Sequence, residues 1–413
     1  MRILTVLPKL PGDPVDGHVI RTRPLLRRLV QQAEVDILAY DVGSIDEDIA
    51  AGAASCKVVP AHLDRNTSLA FRLRKFFSPD DVQQRDAEFS EALKDVLRRS
   101  DHDLVWVAGW RMLLYLPEVR QHMSTNSKIV ADVVDDDIRR DWQDLRDARG
   151  LIGNVTMARR LFRNVLYQRK FLAEADLALF VAEGDAKTTR KRIPGLRVEV
   201  NQNGVDTDYF APAAEDGRRA GDRPVLLFEG TMSYQPNIEG ATHLVRYILP
   251  IVQRSIPEAS VLIVGRNPTP EIQALAAEDV EVTGTVDDIR EHMSRGSLLA
   301  CSLRTGTGLK NKILQSWAMG IPVVATPISV PGLGGVHEGN MLIADGAERF
   351  AEQCVRLLKS PELSRDLSQA GRAFALERYS IHVKLHEIDG FINELLDHQR
   401  MAPLSARAQT AAK

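Results

Sequence analysis

SLRTGTGLKNKILQSWAMGIPVVAT, residues 302–326, is the stretch that decides the fold. It opens at the end of a short apolar run, and the glycines Gly306 and Gly308 follow where a strand would end. The apolar spacing is then helical, and Gly320 followed by Pro322 is typical of a helix end before the next strand. The stretch is therefore predicted to be a strand–loop–helix–strand unit of a parallel α/β sheet.

The same alternation of β-branched apolar runs and amphipathic stretches extends along the whole chain. Strands are predicted in the first half at Arg2–Leu7, Val35–Tyr40, Lys57–Val59, Leu104–Ala108, Lys128–Val134, Leu177–Ala182 and Arg197–Val200. Strands are predicted in the second half at Pro224–Phe228, Ser260–Val264, Val280–Val282, Leu298–Ser302, Pro322–Ala325 and Met341–Ile343. Helices are predicted between them, among others at Arg23–Gln32, Asp81–Arg99 and Thr156–Glu174. The fold class is therefore α/β, with two Rossmann-like, doubly wound domains that face each other across a cleft.

A linker separates the two domains in this prediction. Ala211–Arg223, APAAEDGRRAGDR, is rich in Ala, Gly, Pro and charge and has no periodicity. We expect an N-terminal Rossmann-like domain at 1–204, the linker at 205–223 and a C-terminal Rossmann-like domain at 224–380. A C-terminal helix at 381–400 is expected to pack back toward the first domain, and 401–413 is expected to be a flexible tail.

The composition excludes several classes of protein. The 413 residues include 53 Lys and Arg against 56 Asp and Glu, a net charge of −3 that argues against a nucleic-acid partner. The three cysteines are too scattered for a disulfide framework or a zinc site. No apolar run approaches the roughly 20 residues of a spanning helix, and the apolar start before Pro8 is too short for a signal peptide. A cytoplasmic protein is therefore expected.

The glycine loop of the opening stretch is the strongest candidate for chemistry. Glycines at 306 and 308 let backbone N–H groups approach a ligand, and a helix N-terminus carries partial positive charge. Arg304, Lys310 and Lys312 crowd onto that terminus, which predicts a cradle for a diphosphate. Gln315 follows Lys312 on the same helical face, where it could hydrogen-bond a ribose. The alternative, a flexible turn with solvated lysines, stays open from this segment alone.

At this point the sequence resembles the glycosyltransferases of family 4 (group 1), which have the GT-B fold of two Rossmann-like domains. Residues 302–326 resemble the donor-binding loop and helix of that family. Four further segments resemble its motifs in the expected order: PGDPVDGHVIR at Pro11–Arg21, VNQNGVD at Val200–Asp206, LLFEGTMS at Leu226–Ser233, and Val264–Gly265 with VTGTV at Val282–Val286. The loop GTMSYQPN is similar to members that act in bacterial polysaccharide assembly.

The resemblance implies an enzyme that moves a sugar from a nucleoside diphosphate sugar to a hydroxyl acceptor with retention of configuration. The acceptor could be a saccharide, a lipid-linked molecule or a small molecule, and neither a metal nor a cofactor is expected. The implied donor-binding residues are Gly17, Gly230, Thr285, Val286, Gly306, Thr307, Gly308, Leu309, Lys310, Ile313, Leu314 and Gln315. Lys312 and Arg304 are the candidates for stabilising the leaving diphosphate.

The sequence also departs from the family pattern. Typical members carry two glutamates in the donor motif, and Thr307 and Gln315 stand at those positions. Many members carry an Arg after the glycine turn of the second domain and a Lys soon after it. Thr231 and then Gln235 or Pro236 occupy that neighbourhood here. The diphosphate charge must then be met by other side chains, of which the sequence offers Arg304, Lys310 and Lys312.

Asp132–Asp137, DVVDDD, is the acidic candidate in the first domain. Many family members have a histidine near this position, and Asp135 is the residue that could contact a sugar hydroxyl or accept the acceptor proton. A helix N-cap cluster is the alternative, since Asp is favoured there. Gly17, in the first βα loop, could admit a phosphate or the acceptor, or simply form a tight turn. His18 is not expected to be a base, because nothing nearby orients it.

Two stretches interleave basic and apolar residues, a pattern that can dock on an anionic membrane surface: FRLRKFF at Phe71–Phe77 and RRLFRNVLYQRK at Arg159–Lys170. Such contact would place the protein at the inner face of the membrane. A helix with a solvated basic face is the alternative. Two other functions also stay open. One is a nucleotide-sugar epimerase of the same architecture, and the other is a relative that binds a nucleotide sugar or a partner transferase without turnover.

Overall fold

The structure is a computed structural model, and it describes residues 1–12, 17–61, 85–134, 137–147, 150–212, 223–306 and 308–400. The chain divides into two compact units. The first comprises Met1–Gln202 together with Leu385–Lys413, and the second comprises Asn203–Lys384. Most of the predicted linker, the basic stretch Phe71–Phe77 and the tail 401–413 lie outside the described residues.

The first unit is built on a seven-stranded sheet in the order β3-β2-β1-β4-β5-β6-β7. Its strands are β1 Arg2–Leu7, β2 Glu34–Tyr40, β3 Ser55–Val59, β4 Leu104–Ala108, β5 Lys128–Val134, β6 Leu177–Phe180 and β7 Arg197–Val200. All neighbouring strands pair in parallel. The inner strands are mostly apolar because helices cover both faces of a parallel sheet, whereas the edge strands β3 and β7 carry polar and charged residues. The strand order reverses between β1 and β4, which is where such sheets bind ligands.

The helices described for the first unit are α1 Gly17–Gln32, α2 Glu47–Gly52, α3 Ala87–Arg99, α4 Leu116–His122, α5 Asp137–Asp147, α6 Leu151–Leu172 and α7 Glu183–Arg192. A 3-10 turn at Trp110–Tyr115 precedes α4. The helix predicted from Arg23 begins at Gly17, so that Pro24 lies inside it. A proline there removes one main-chain hydrogen bond, and α1 tolerates this because its apolar face is buried on the sheet.

The second unit repeats the plan with a six-stranded parallel sheet in the order β10-β9-β8-β11-β12-β13. Its strands are β8 Val225–Glu229, β9 Ser260–Val264, β10 Val280–Val282, β11 Leu298–Cys301, β12 Val323–Ala325 and β13 Leu342–Ile343. Its helices are α8 Gln235–His243, α9 Leu249–Gln253, α10 Pro270–Gln273, α11 Ile289–Met293, α12 Asn311–Ala318, α13 Ala347–Lys359 and α14 Pro361–Tyr379. A π-helix at Leu244–Ile248 joins α8 to α9, and a 3-10 turn at Pro327–Ser329 follows β12.

The core of the second unit holds the sheet between two helical layers. Phe228, Trp317 and Phe350 are completely buried, and the Trp317 indole N–H donates to the Asn340 carbonyl at 2.9 Å. Gly371 on α14 faces Trp317, and a Cβ at that position would lie 2.4 Å from the indole. Helix α14 therefore packs closely over α12, and this fixes the helix that follows the glycine loop.

The last helix, α15 Ile381–Arg400, begins in the second unit, and its residues from Leu385 belong to the first. Within the first unit its acidic face is paired. Asp389 bonds Arg28 on α1, and Glu387 accepts a hydrogen bond from Asn201 at 2.9 Å. No helix in the described part of the chain is both long and apolar enough to cross a membrane.

Candidate functional site in the second unit

The strand order of the second sheet reverses between β8 and β11, and two glycine turns meet beside this point. Gly230 follows β8 and Gly265 follows β9, and both have positive φ. A Cβ at Gly265 would lie 1.7 Å from the Gly230 carbonyl oxygen. No side chain fits there, so the two strand ends approach as closely as backbone allows. Open α/β sheets bind ligands at such a reversal, outside the carboxyl ends of the strands.

Lys312 lies at this reversal, in the first turn of α12. Its ammonium donates to the Glu229 carbonyl oxygen at 2.5 Å and to Asn237 Oδ1 at 2.9 Å. It also lies 4.4 Å from the centroid of the Phe228 ring. The side chain is only 8% exposed. The two hydrogen bonds use two of its three protons, which leaves one for a further acceptor. Lys312 is thus a fixed charge beside Gly230.

Two buried groups respond to this charge. Burial raises the pKa of the Glu229 carboxyl at the end of β8, and the ammonium of Lys312 opposes the shift. Burial also raises the pKa of the Cys301 thiol, while Lys312, a hydrogen bond with Ser329 and Lys310 oppose it. In both groups burial outweighs the nearby charge, and Glu229 also contributes to the raised pKa of Cys301, so the positive charge at the carboxyl ends of β8 and β11 is that of the Lys312 and Lys310 side chains. Such a potential favours an anion.

Lys310 shapes the glycine loop rather than extending away from it. Its ammonium donates to the carbonyl oxygens of Gly306 at 3.2 Å and Gly308 at 3.1 Å. Both glycines have positive φ, 108° and 77°, a conformation that other residues rarely adopt. Thr307 between them lies outside the described residues. The Lys310 ammonium therefore holds the backbone of Gly306 and Gly308 together through two hydrogen bonds.

The other residues predicted to bind the donor in and next to α12 differ in how deeply they are buried. Ile313 and Leu314 are completely buried in the core, so only their backbone could face a ligand. Leu309 is partly buried against the same core, and Gln315 is half-buried one turn beyond Lys312. The Ile313 N–H is already bonded to the Lys310 carbonyl at 2.9 Å. The unpaired donors that a helix N-terminus offers are thus confined to the start of the helix.

Arg304 lies beside α8 and the π-helix, whereas Lys312 reaches the start of α8. Arg304, His243 and Tyr247 line a cavity of about 680 Å³ at the carboxyl ends of β11, β12 and β13. Burial and then the charge of Arg304 lower the pKa of His243. The next residue, Thr305, donates to Glu239 at 2.8 Å and holds the loop along α8. The structure therefore places Lys310 at the glycine loop, Lys312 beside Gly230 and Arg304 at the neighbouring cavity.

Arg266 is a cation of this region that the sequence reasoning missed. It follows Gly265 at the end of β9, and its guanidinium Nε lies 3.4 Å from the Thr231 hydroxyl. The Met232 N–H donates to the Arg266 carbonyl at 2.9 Å. The sequence RNPTP after a strand and glycine could have pointed to it, but a single arginine after a strand is a common surface residue. Its significance appears only when β8 and β9 are placed side by side.

Thr285 and Val286 follow β10 at the same end of the sheet. Thr285 is exposed, and Val286 is partly buried against the core of the unit. Glycine at 284 has a φ of 72°, and a Cβ there would meet no atom within 4 Å. The space next to Gly284 is therefore open.

In the first unit the corresponding reversal lies between β1 and β4. Gly109 ends β4 with a φ of 89°, and a Cβ there would lie 3.4 Å from Pro8 and 3.8 Å from the His18 ring. Gly17 begins α1 at this edge. The sequence reasoning set His18 aside and missed Gly109, because the glycine in VAGWR resembles any strand end.

A buried ion pair stands next to this edge. Arg21 on α1 donates through Nε to both carboxylate oxygens of Asp132 at 2.8 Å and through Nη1 to the Asn201 carbonyl at 2.8 Å. Asp135 lies outside the described residues. Val134, just before it, has a φ of 65°, which is strained for a β-branched residue. Backbone strain of this kind is often found at functional sites, so the segment that follows β5 is a candidate for a functional role.

The described residues contain no group of three or more His, Cys, Asp or Glu side chains arranged to hold a metal ion. Lys310 and Lys312 are cations held by backbone and side-chain oxygens. Lys312, the start of α12 and the glycine turns together form an arrangement that can bind an anion.

Comparison with known proteins agrees with this fold. Residues 223–360 match the family model described as Glycosyl transferases group 1. No curated protein sequence matches the chain significantly. The chain is similar to the structure of Anabaena HepE in complex with UDP, with 13% identity over 95% of this chain and 100% of that one and a TM-score of 0.66.

Two further structures share the fold. Sucrose-phosphate synthase from Thermosynechococcus elongatus is 16% identical over 96% of this chain and 100% of that one, with a TM-score of 0.68. A glycosyltransferase from Rickettsia africae is 16% identical over 96% of this chain and 98% of that one, with a TM-score of 0.65. Residues 223–360 are therefore similar to the glycosyl transferases group 1 family, and the chain has the GT-B fold of two Rossmann-like domains.

Proposed function

We propose that this protein is a glycosyltransferase that moves a sugar from a nucleoside diphosphate sugar to a hydroxyl acceptor with retention of configuration. The observation that carries the proposal is the buried Lys312 ammonium, which is fixed beside Gly230 where the second sheet reverses. The group 1 match over residues 223–360 supports the same activity. Structures of Anabaena HepE contain UDP or UDP-glucose, which supports a nucleotide-sugar donor.

In this proposal the departing diphosphate is stabilised by fixed charge. As the bond between the sugar and the diphosphate breaks, negative charge grows on the leaving oxygen. The remaining proton of Lys312 and the N–H groups at the start of α12 can meet that charge without rearrangement. Preorganised donors of this kind lower a barrier effectively because they need no reorientation. Gln315 would contact the ribose, and no metal ion or cofactor is required.

The acceptor is proposed to bind the first unit, near Gly109 and His18. Asp135 remains the proposed partner for the acceptor hydroxyl, and the strained Val134 before it supports that choice. The buried pair of Arg21 and Asp132 would hold this edge of the sheet in place. Both partners are buried, so the pair is a positioning element and not a reacting group.

Contact with the inner face of a membrane is part of the proposal if the acceptor is lipid-linked. Helix α6 carries the basic stretch Arg159–Lys170, and Val155 and Phe162 on the same helix are exposed. The basic charge is partly neutralised, since Arg160 pairs with Asp141 and Asp144 on α5. Exposed apolar groups among basic ones are the pattern of a peripheral membrane surface.

The experiment that tests the activity is a binding and product screen. Thermal stability is measured with five nucleoside diphosphates (of uridine, guanosine, adenosine, cytidine and thymidine) and with their glucose conjugates. A ligand at a hundredfold excess over its Kd adds about 2.7 kcal/mol of stability. A shift with one base, followed by sugar transfer to a saccharide or lipid acceptor in mass spectra, is expected. The absence of any shift would overturn the proposal.

A further inference from the structure

Two cations flank the turn formed by Gly230 and Thr231. On one side, a Cβ at Gly230 would lie 3.1 Å from the Lys312 ammonium nitrogen. On the other side, Arg266 Nε lies 3.4 Å from the Thr231 hydroxyl. The two cations come from different strand ends, since Lys312 follows β11 and Arg266 follows β9. Two adjacent residues of one turn thus each lie next to a cation.

Backbone contacts fix this arrangement. The Gly265 and Gly230 turns touch, and the Met232 N–H donates to the Arg266 carbonyl at 2.9 Å. Lys312 is held by its bonds to the Glu229 carbonyl and to Asn237. The backbones that carry the two cations are therefore held in place on neighbouring strand ends. A bound anion with two negative groups could contact both cations without a rearrangement of the turn.

The strand order indicates how a nucleotide would lie along this edge of the sheet. Along the edge of the sheet the neighbours are β10, β9, β8 and β11. The open turn at Thr285 and Val286 lies at β10, Arg266 at β9, Gly230 at β8 and Lys312 after β11. A nucleotide whose base occupies the β10 turn would extend its phosphates toward β11. Its first phosphate would then pass Arg266 before its second reaches Lys312.

We propose that Arg266 binds the α-phosphate of the donor nucleotide, while Lys312 meets the β-phosphate that leaves with it. This inference rests on the proposed function and assigns each phosphate of the same site to one cation. Arginine suits the task because its fork of N–H groups can bond two oxygens of one phosphate. The Thr231 hydroxyl accepts a long hydrogen bond from the Nε of this fork.

A purely structural role for Arg266 predicts a different result. Its single bond to Thr231 is long at 3.4 Å, so its loss should change stability little. Nucleotide affinity, in contrast, should fall strongly if a charged hydrogen bond to phosphate is lost. Binding and stability are thus separate readouts of the two roles.

The test is calorimetric titration of the full-length protein with the mono- and diphosphate of the base that the thermal screen identifies. Arg266→Ala should weaken the binding of both nucleotides by about 10- to 100-fold, because both carry the α-phosphate. Lys312→Ala should weaken the diphosphate by a similar factor and leave the monophosphate within about threefold. Arg266→Lys should recover part of the affinity, since it keeps the charge without the fork. Arg254→Ala, which removes an exposed arginine elsewhere in the unit, is the matched control and should bind as wild type.

Each contrary result has one meaning. If Arg266→Ala binds both nucleotides within twofold of wild type, the assignment of Arg266 is wrong and the proposed function stands. If only the diphosphate is weakened, Arg266 does not read the α-phosphate, and the assignment is again wrong. If the wild-type protein binds no nucleotide, the proposed function and this inference both fail. Thermal unfolding of Arg266→Ala and Arg266→Lys separates loss of binding from loss of fold.

Discussion

Lys312 Nζ and Asn237 Oδ1 lie 2.9 Å apart, and this hydrogen bond joins the first turn of α12 to the first turn of α8. The two helices follow different strands, β11 and β8, on either side of the point where the sheet order reverses. One side chain therefore ties together the two elements that frame the candidate donor site. It also keeps a positive charge at a place that is nearly closed to water.

Lys312→Ala should reduce turnover by about 10²- to 10³-fold, the loss seen when an oxyanion-type donor is removed. The reason is that the departing diphosphate would lose its fixed cation. Steady-state kinetics with the identified donor measure the effect, and Lys359→Ala at an exposed site on α13 serves as control. Turnover of Lys312→Ala within twofold of wild type would exclude Lys312 from the chemistry.

Gln315→Glu should keep or improve donor affinity. Gln315 is half-buried one turn beyond Lys312, where a carboxylate could accept a hydrogen bond from a ribose hydroxyl. Charge-assisted hydrogen bonds are roughly twice as strong as neutral ones, so the change should not weaken binding. The Kd of the nucleoside diphosphate, measured by calorimetry, decides the matter. A tenfold or greater loss in the variant would show that Gln315 does not contact the ribose.

Most of the fold could be predicted from the sequence because buried parallel strands are nearly continuous apolar runs. Each predicted strand is present, with bounds that differ by at most two residues. Helix starts were less predictable: α1 begins at Gly17 rather than Arg23, because burial of its apolar face outweighs the cost of Pro24. The free energy of packing a helix on the sheet depends on residues distant in sequence, so it cannot be read from a local sequence pattern.

The candidate site was only partly predictable. Lys312 was identified from its place at a helix start, but its partners Glu229 and Asn237 lie 83 and 75 residues away in sequence. Arg266 was missed for the same reason, since only the contact of β8 with β9 makes it a neighbour of Thr231. Spacing along one helix is readable from sequence, whereas the meeting of three strand ends is not.

Gly265→Ala should destabilise the second unit by more than about 3 kcal/mol or prevent its folding, because it combines steric overlap with an unfavourable φ. The new Cβ would lie 1.7 Å from the Gly230 carbonyl oxygen. Gly284→Ala is the matched control, since its φ is also positive but no atom lies within 4 Å of a Cβ. Its cost should be about 1 kcal/mol. Equal thermal stability of the two variants would contradict the close contact of the turns.

Phe162→Ser should weaken binding to vesicles of anionic phospholipid by roughly 10-fold, if the exposed ring inserts among the lipids. Phe162 is 63% exposed on the basic helix α6. Val336→Ser, at a residue 59% exposed in the second unit, is the control and should leave binding unchanged. Co-sedimentation measures both. If wild type and Phe162→Ser sediment equally, α6 is not the membrane-binding surface.

Asp36 should make the stability of the first unit depend on acid pH. It is 3% exposed and accepts hydrogen bonds from Arg2 at 2.8 Å, Ser55 at 2.5 Å and His102 at 2.9 Å. Burial alone would raise the pKa of Asp36, but these partners outweigh it and lower the pKa to about 2. The carboxylate therefore stabilises the folded state while it is ionised.

Because the folded pKa lies below the unfolded value of about 3.9, this stabilisation is complete above that value and disappears as the pH falls toward 2. Its size is about 2 kcal/mol. Urea unfolding of wild type and Asp36→Asn should therefore differ most at pH 6 and converge between about pH 4 and 2. Asp287→Asn, at an exposed aspartate, should not show this convergence. A gap between wild type and Asp36→Asn that stays constant with pH would mean that Asp36 stabilises the sheet by packing and not by its charge.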